Sequence, residues 1–211
     1  MLNALAATDP ITTEWLTEAL RVAGALPSGA VVACETRANA AFNSAACHLT
    51  LTYSADAPSD APRQLFLKRN LEVDWAVEAG RDEVAFYKAM APRYDQLPML
   101  IHCYAALVDE TRSASTLLMA DVATTHTAPL LRDDQISESA RGIPAPAALD
   151  QAIDALAAFH AAWLERPELG VQFEVNSWYS DADAFAAQVE ERRADWTRFI
   201  ASEGAWFPAD L

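Results

Sequence analysis

The sequence has little glycine, little cysteine and few basic residues. Only 6 of the 211 residues are glycine and 3 are cysteine, and 15 lysines and arginines stand against 30 aspartates and glutamates. The formal net charge is therefore −15. A surface this acidic argues against non-specific binding to nucleic acid or to an anionic membrane. It also repels polyanionic ligands at long range, so a site for such a ligand needs local positive charge or a bound cation.

Segments that direct a chain to a membrane are also missing from the sequence. No apolar run approaches the length of a transmembrane helix. The first basic residue is Arg21, and Asp9, Glu14 and Glu18 precede it, which does not fit a secretory signal. The cysteines are odd in number and far apart, which is typical of reduced thiols. We therefore predict a cytoplasmic protein without a membrane partner.

Two dipeptides place a cysteine beside a histidine, Cys47-His48 and His102-Cys103. Neighbouring residues on a strand point to opposite faces, so each dipeptide offers only one ligand to a shared metal site. We therefore expect ordinary strand residues here and predict no metal ligand.

Apolar spacing predicts an α+β fold. Thr12 can cap a first helix, and Gly24 can end it. A second helix is predicted over residues 76–91, although Gly80 inside it weakens the prediction of where it starts. Alternating apolar residues predict five strands, which lie at residues 31–35, 47–53, 64–69, 101–108 and 115–122. The helix between the third and fourth strands makes an antiparallel sheet with one inserted helix.

The composition changes after residue 122. Residues 124–146 are polar and rich in proline, and two helical patterns follow, at residues 149–163 and 183–200. We therefore predict a mixed lobe over residues 1–122 and a partial helical lobe over residues 123–211.

The side chains of the helical part carry two further expectations. His160 lies on the apolar stripe of its helix, so we expect a core histidine that is hydrogen-bonded to a loop. Several large apolar side chains are expected to leave an exposed patch, namely Leu156, Phe185, Trp196, Phe199 and Trp206.

Lys68 and Glu83 are the most informative pair in the sequence. Lys68 ends the apolar-rich run at residues 64–68, and Glu83 opens a helical stretch 15 residues later. Kinase-like folds hold the phosphates of ATP with a strand lysine and a helix glutamate, because the glutamate fixes the lysine that bridges the phosphate oxygens. Taken alone, each residue is more often an ordinary solvated side chain.

The order of these elements resembles the aminoglycoside phosphotransferase and choline kinase-like superfamily, especially its ecdysteroid kinase-like branch. Four stretches carry the resemblance, and a weaker match follows at residues 156–163. No single motif is specific, but their order and spacing together are. The four stretches are Asn43-Ser44 leading into His48-Leu49-Thr50-Leu51, Phe66-Leu67-Lys68, Glu83-Val84-Ala85-Phe86-Tyr87 and Leu117-Leu118-Met119-Ala120-Asp121-Val122.

The resemblance implies a protein kinase-like N-lobe followed by the start of a helical C-lobe. In that fold Lys68 would hold the α- and β-phosphates of ATP, and Glu83 would orient Lys68. Asn43 and Ser44 would form the phosphate-loop turn. No glycine occurs between residues 31 and 53 to let a backbone approach phosphate closely, so an ordinary hairpin stays an equal alternative.

The resemblance also implies a hinge after the last strand. There the backbone groups of Ala120 and Val122 would hold adenine, although the family usually has glutamate at the Ala120 position. Magnesium would be the second cofactor, and the acceptor would be a hydroxyl of a small molecule.

The family's catalytic segment is not found in this sequence. It begins His-Gly-Asp, and none of the four histidines here is followed by Gly-Asp. We therefore expect the N-terminal part of an ATP-dependent small-molecule kinase, truncated before the catalytic loop and inactive as this fragment, with no catalytic residue or metal ligand assigned. Two alternatives stay open: a non-catalytic nucleotide-binding or interaction module, and an unrelated α+β protein in which Lys68 and Glu83 coincide by chance.

Overall fold

The computed structural model describes residues 7–39, 44–94, 96–126, 146–164 and 182–203. These residues form an α+β fold with one antiparallel sheet of strand order β1-β2-β3-β5-β4. The helices are α1 (Thr13–Val22), α2 (Asp74–Met90), α3 (Pro146–Trp163) and α4 (Ala182–Glu203), and a 3₁₀ turn at Ala91–Arg93 follows α2. The strands are β1 (Val31–Asn39), β2 (Ser44–Tyr53), β3 (Gln64–Asn70), β4 (Cys103–Asp109) and β5 (Ala114–Ala120).

The predicted sheet with one inserted helix is confirmed. All four strand pairings are antiparallel, and α2 connects β3 to β4. Because β5 inserts between β3 and β4, the strand that carries Lys68 is central in the sheet.

Helix α1 begins and ends where the sequence predicts. The Thr12 side chain accepts a hydrogen bond from the Trp15 amide at 3.2 Å, which satisfies one of the unpaired amides of the first turn. The helix ends at Val22, and Gly24 adopts a φ of +73°, a conformation that favours glycine.

Several strand boundaries differ from the sequence prediction. Strand β1 reaches Asn39 because it pairs with β2 from Val31–Tyr53 to Asn39–Ala46, and β2 begins at Ser44 because Ser44 pairs with Asn70 of β3. The residues that the prediction missed, at 36–39 and 44–46, are small or polar, so they lack the apolar alternation that marks a strand in sequence. The predicted end of β5 at Val122 was also too late, since this strand stops at Ala120.

The two faces of the sheet carry different helices. On the first face, the α1 face, the leucines of β2 and β3 pack with α1 into the larger core. Val84 of α2 packs on the other face, the α2 face, against Leu117 and Met119 of β5. The larger cluster contains Trp15, Leu16, Ala19, Leu20, Leu26, Val31, Leu49, Leu51, Ala61, Leu65, Leu67, Ala105 and Leu118.

The chain divides into two compact units, Met1–Glu165 and Arg166–Leu211. In the first unit α3 contacts α2 and its 3₁₀ turn: the rings of Phe86 and Phe159 are 6.0 Å apart, and the Arg93 guanidinium lies 5.0 Å from the Trp163 ring. The predicted domain boundary at residue 122 stays a prediction.

The prediction of a core His160 was wrong. His160 is exposed, because Phe159 and Trp163 turn toward α2, and the next residue along a helix lies about 100° away around its axis.

Four large apolar side chains that were expected on the surface are exposed, and Trp206 lies outside the described residues. The four are Leu156, Phe185, Trp196 and Phe199. None of the helices in the described ranges has both the length and the apolar character needed to cross a membrane.

Candidate functional site

A cleft lies between α2, the α2 face of the sheet and the turn that follows β5. Its volume is about 710 Å³, within the range of small-molecule sites. Its lining combines charged, aromatic and apolar side chains from β2, β3, β5 and α2, including His48, Phe66, Lys68, Glu83, Tyr87, Ile101, Met119, Ala120, Asp121 and Val122.

The predicted contact between Lys68 and Glu83 is present in this cleft. Lys68 Nζ donates to Glu83 Oε2 at 2.6 Å, and the two side chains are only 25% and 30% exposed. Strand β3 places Lys68 between Ala46 of β2 and Leu117 of β5. A partly buried ammonium group needs a compensating partner, so Glu83 holds Lys68 in one place within the cleft.

Gly80 brings α2 close enough for this contact. A Cβ atom added at Gly80 would overlap the Ser115 hydroxyl and lie 3.1 Å from Asn70 Cβ. Glu83 is three residues further along the same helix, hence on the same side as Gly80. The glycine that weakened the helix prediction is therefore the residue at which the helix meets the sheet.

Ser44 is beside the ion pair, whereas Asn43 lies outside the described residues. Ser44 is buried at the start of β2 opposite Asn70. Together with Lys68 and Glu83 it lines a small cavity under α2. The structure thus brings one of the two predicted phosphate-turn residues to the lysine, and the phosphate contact itself stays a prediction.

Ala120 and Val122 line the cleft at the end of β5 and just after it. The Ala120 amide donates to the His102 carbonyl at 2.8 Å. The Val122 carbonyl accepts from the Thr125 and His126 amides at 3.0 and 2.8 Å. Both residues reach the cleft, and their contact with adenine stays a prediction.

Sequence reasoning missed a second polar pair in the cleft. His48 Nδ1 and Asp121 Oδ2 are 2.5 Å apart, and the side chains are only 14% and 8% exposed. Asp121 Oδ1 accepts the Ala123 amide at 2.9 Å, and the His48 ring meets the Phe66 ring edge-on at 5.2 Å. The alternation of the strands was the available signal. Phe66 and Lys68 are two residues apart and therefore share a face of the sheet, and His48 pairs with Phe66 on that face.

Burial keeps two further groups near the cleft neutral. Burial first, and the Glu83 carboxylate second, raise the pKa of Tyr87 to about 12. Burial also raises the pKa of the Cys103 thiol to about 12. Neither group is ionised at neutral pH, so neither adds negative charge beside Lys68.

No cluster of three or more histidine, cysteine, aspartate or glutamate side chains in the described residues is arranged to hold a metal ion. Cys47 packs at the edge of the α1-face core, while His48 lines the cleft, as expected for neighbours on a strand.

Comparisons with family models, with curated proteins and with solved structures found no match to this chain.

Proposed function

We propose that this chain binds ATP in the cleft between α2 and the sheet, as the N-terminal part of a small-molecule kinase does. The observation that carries the proposal is the 2.6 Å ion pair between Lys68 and Glu83 at the wall of a cleft of about 710 Å³. This is the strand lysine and helix glutamate with which kinase-like folds fix the phosphates of ATP.

Lys68 has the hydrogen-bonding capacity for this task. An ammonium group has three N–H donors, and Glu83 accepts one of them, which leaves two for phosphate oxygens. Charge-assisted hydrogen bonds of this type are about twice as strong as neutral ones. The sequence has only two lysines, and the other, Lys88, is exposed on α2.

The remaining part of the cleft suits an aromatic ring. Phe66, Ile101 and Met119 give it apolar surface, and the backbone of Ala120 and Val122 lies at its end. A mostly apolar cleft with a few placed polar groups is the usual form of a small-molecule site. We assign this part to adenine.

Magnesium would enter with the nucleotide. Bound to the phosphates, it would reduce their repulsion by a protein of net charge −15. Since the described residues offer no cluster of metal ligands, we assign no side chain to it.

The chemistry proposed for the kinase is transfer of a phosphoryl group to a hydroxyl of a small molecule. The second candidate is a non-catalytic nucleotide-binding module. Both candidates predict ATP binding without turnover by residues 1–211, because this part of a kinase is expected to be inactive. A His-Gly-Asp segment encoded after codon 211 would support the kinase over the module. Turnover with ATP, magnesium and a panel of small alcohols that disappears in Lys68→Ala would show that a catalytic carboxylate among residues 121–211 was missed.

Calorimetric titration with magnesium and ATP tests the binding itself. Lys68→Ala should weaken binding at least about tenfold, because charge-assisted hydrogen bonds contribute about 1.5–3 kcal/mol. Lys88→Ala makes the same change of charge on the exposed side of α2, so it should leave the affinity within about twofold. Absence of ATP binding by the unmodified chain, or equal losses in the two variants, would overturn the proposal.

A further inference from the structure

One nitrogen of His48 is unoccupied inside the cleft. Nδ1 is held by Asp121, and no group among the described residues bonds to Nε2. His48 Nε2 is not among the fully buried side-chain atoms that lack a hydrogen-bond partner in the described residues, so solvent reaches it. His48 therefore presents a polar atom to whatever occupies the cleft.

The contact with Asp121 determines whether Nε2 of a neutral His48 donates or accepts a hydrogen bond. Both carboxylate oxygens of Asp121 act as acceptors, Oδ1 from the Ala123 amide and Oδ2 from His48 Nδ1. The hydrogen of a neutral His48 ring is therefore on Nδ1, and Nε2 offers a lone pair. Asp121 thus acts as a positioning residue that, in the neutral ring, turns the accepting nitrogen of His48 toward the cleft.

The register of β2 and β3 places this acceptor beside the ring part of the cleft. His48 pairs with Phe66, and Lys68 is two residues further along β3, about 7 Å away at the rise of an antiparallel strand. A ligand whose anionic group rests on Lys68 can thus lay a ring against Phe66, with its edge near His48.

We propose that His48 accepts a hydrogen bond from the exocyclic amino group of the bound base, so that the cleft selects nucleotides whose base carries an amino group. The inference rests on the proposed function. It adds a side-chain contact with adenine to the backbone contacts proposed at the end of β5. A base without the amino group leaves Nε2 without a partner in a site from which the ligand displaces water, and that loss disfavours binding.

Competitive titration with two nucleotides tests this selection. ATP is compared with purine ribonucleoside triphosphate, in which hydrogen replaces the 6-amino group and nothing else changes. The unmodified chain should bind ATP about tenfold more tightly, the usual effect of one hydrogen bond whose partner is otherwise left unpaired. In His48→Phe, which keeps a ring against Phe66 but has no nitrogen, the two affinities should agree within about twofold.

Asp121→Asn supplies the readout for the positioning role. An asparagine side chain can donate to Nδ1 as well as accept from it, so both histidine tautomers become accessible. The preference for ATP should fall toward that of His48→Phe, while the binding of the triphosphate by Lys68 continues. A full tenfold preference in either variant would overturn the inference.

A spectroscopic measurement on the unmodified chain covers the case in which a variant does not fold. With ¹⁵N-histidine, the Nε2 resonance of His48 should differ between the ATP complex and the analogue complex, because only ATP supplies a donor to the Nε2 lone pair. Equal shifts, or equal affinities for the two nucleotides, would overturn the inference. If Lys68→Ala still weakens the binding of both nucleotides, the proposed function stands without this inference. If the unmodified chain binds neither nucleotide, the proposed function and the inference are both overturned.

Discussion

The two faces of one sheet have different compositions. Leu65 and Leu67 of β3 enter the α1-face core, while Phe66 and Lys68 of the same strand line the cleft on the α2 face. The α1 face is closed by the apolar side of an amphipathic helix with a side-chain cap at its start. The α2 face combines a small apolar cluster with the Lys68–Glu83 ion pair and the His48–Asp121 hydrogen bond.

This difference assigns separate tasks to alternate residues of the same strands. Burial of apolar surface is the main source of folding free energy, and the α1 face supplies most of it here. The α2 face can therefore carry partly buried charges. Their desolvation costs about as much free energy as their pairing gains, so they add little or no net stability. Substitutions on the first face should change stability, and those on the second should change ligand binding.

The largest expected effect on stability comes from the α1 face. Leu118 is fully buried in that core, so Leu118→Ala should lower the free energy of unfolding by about 2–5 kcal/mol, measured by chemical denaturation. Met119 is the neighbouring residue of β5 and borders the open cleft, so Met119→Ala should cost less, since solvent and neighbouring groups can fill the space. Equal losses in the two variants would contradict the assignment of the faces.

Gly80→Ala should perturb both stability and the ion pair. The added methyl group overlaps the Ser115 hydroxyl, and overpacking of this type costs about 1–3 kcal/mol. The displaced helix should also weaken ATP binding, because Glu83 lies on the same side of α2.

Two control variants sharpen the test of Gly80. Removal of the hydroxyl in Gly80→Ala/Ser115→Ala should restore part of the lost stability. Ala85→Gly, at an exposed position of α2, should cost about 1 kcal/mol of helix propensity and leave ATP affinity unchanged. A Gly80→Ala variant that is more stable than the unmodified chain would show that α2 does not need this close approach.

A smaller effect should appear at alkaline pH. The folded Cys103 thiol has its pKa raised by burial from 9.0 to about 12, so above pH 9 only the unfolded chain loses this proton. Its contribution to stability is complete below pH 9 and is lost as the pH rises toward 12, at up to about 1.4 kcal/mol per pH unit.

Denaturation between pH 8 and 10 measures this loss. Cys103→Ala should flatten the alkaline decline, whereas Cys34→Ala should change the slope less, because burial raises the pKa of the Cys103 thiol the most. The tyrosines with pKa values raised by burial add a decline near pH 10 that is common to both variants, so the difference between the variants reports the thiols. An unchanged slope in Cys103→Ala would show that the thiol is more solvated than its surroundings indicate.

Sequence reasoning reached the parts of the site that depend on local pattern. The alternation of β2 and β3 and the 15-residue interval from Lys68 to Glu83 lie within consecutive elements, so their geometry follows from strand and helix periods. The same reasoning could not reach the His48–Asp121 pair. Its members are 73 residues apart and meet only because β5 inserts beside β3.

Gly80 shows a second limit of the sequence. Helix propensity treats any glycine inside a helix as a cost, and it contains no information on what the helix will pack against. The reason for this glycine is the close approach to Ser115, a contact that exists only once the sheet has formed.

The most direct test of the central claim is protection of lysines from chemical modification. With only two lysines in the sequence, peptide mass spectrometry can follow acylation of Lys68 and Lys88 separately in one sample. Magnesium and ATP should slow the modification of Lys68 at least about tenfold at saturation and leave Lys88 unchanged. Equal rates at Lys68 with and without the nucleotide, at concentrations up to several millimolar, would contradict the assignment of this cleft to ATP.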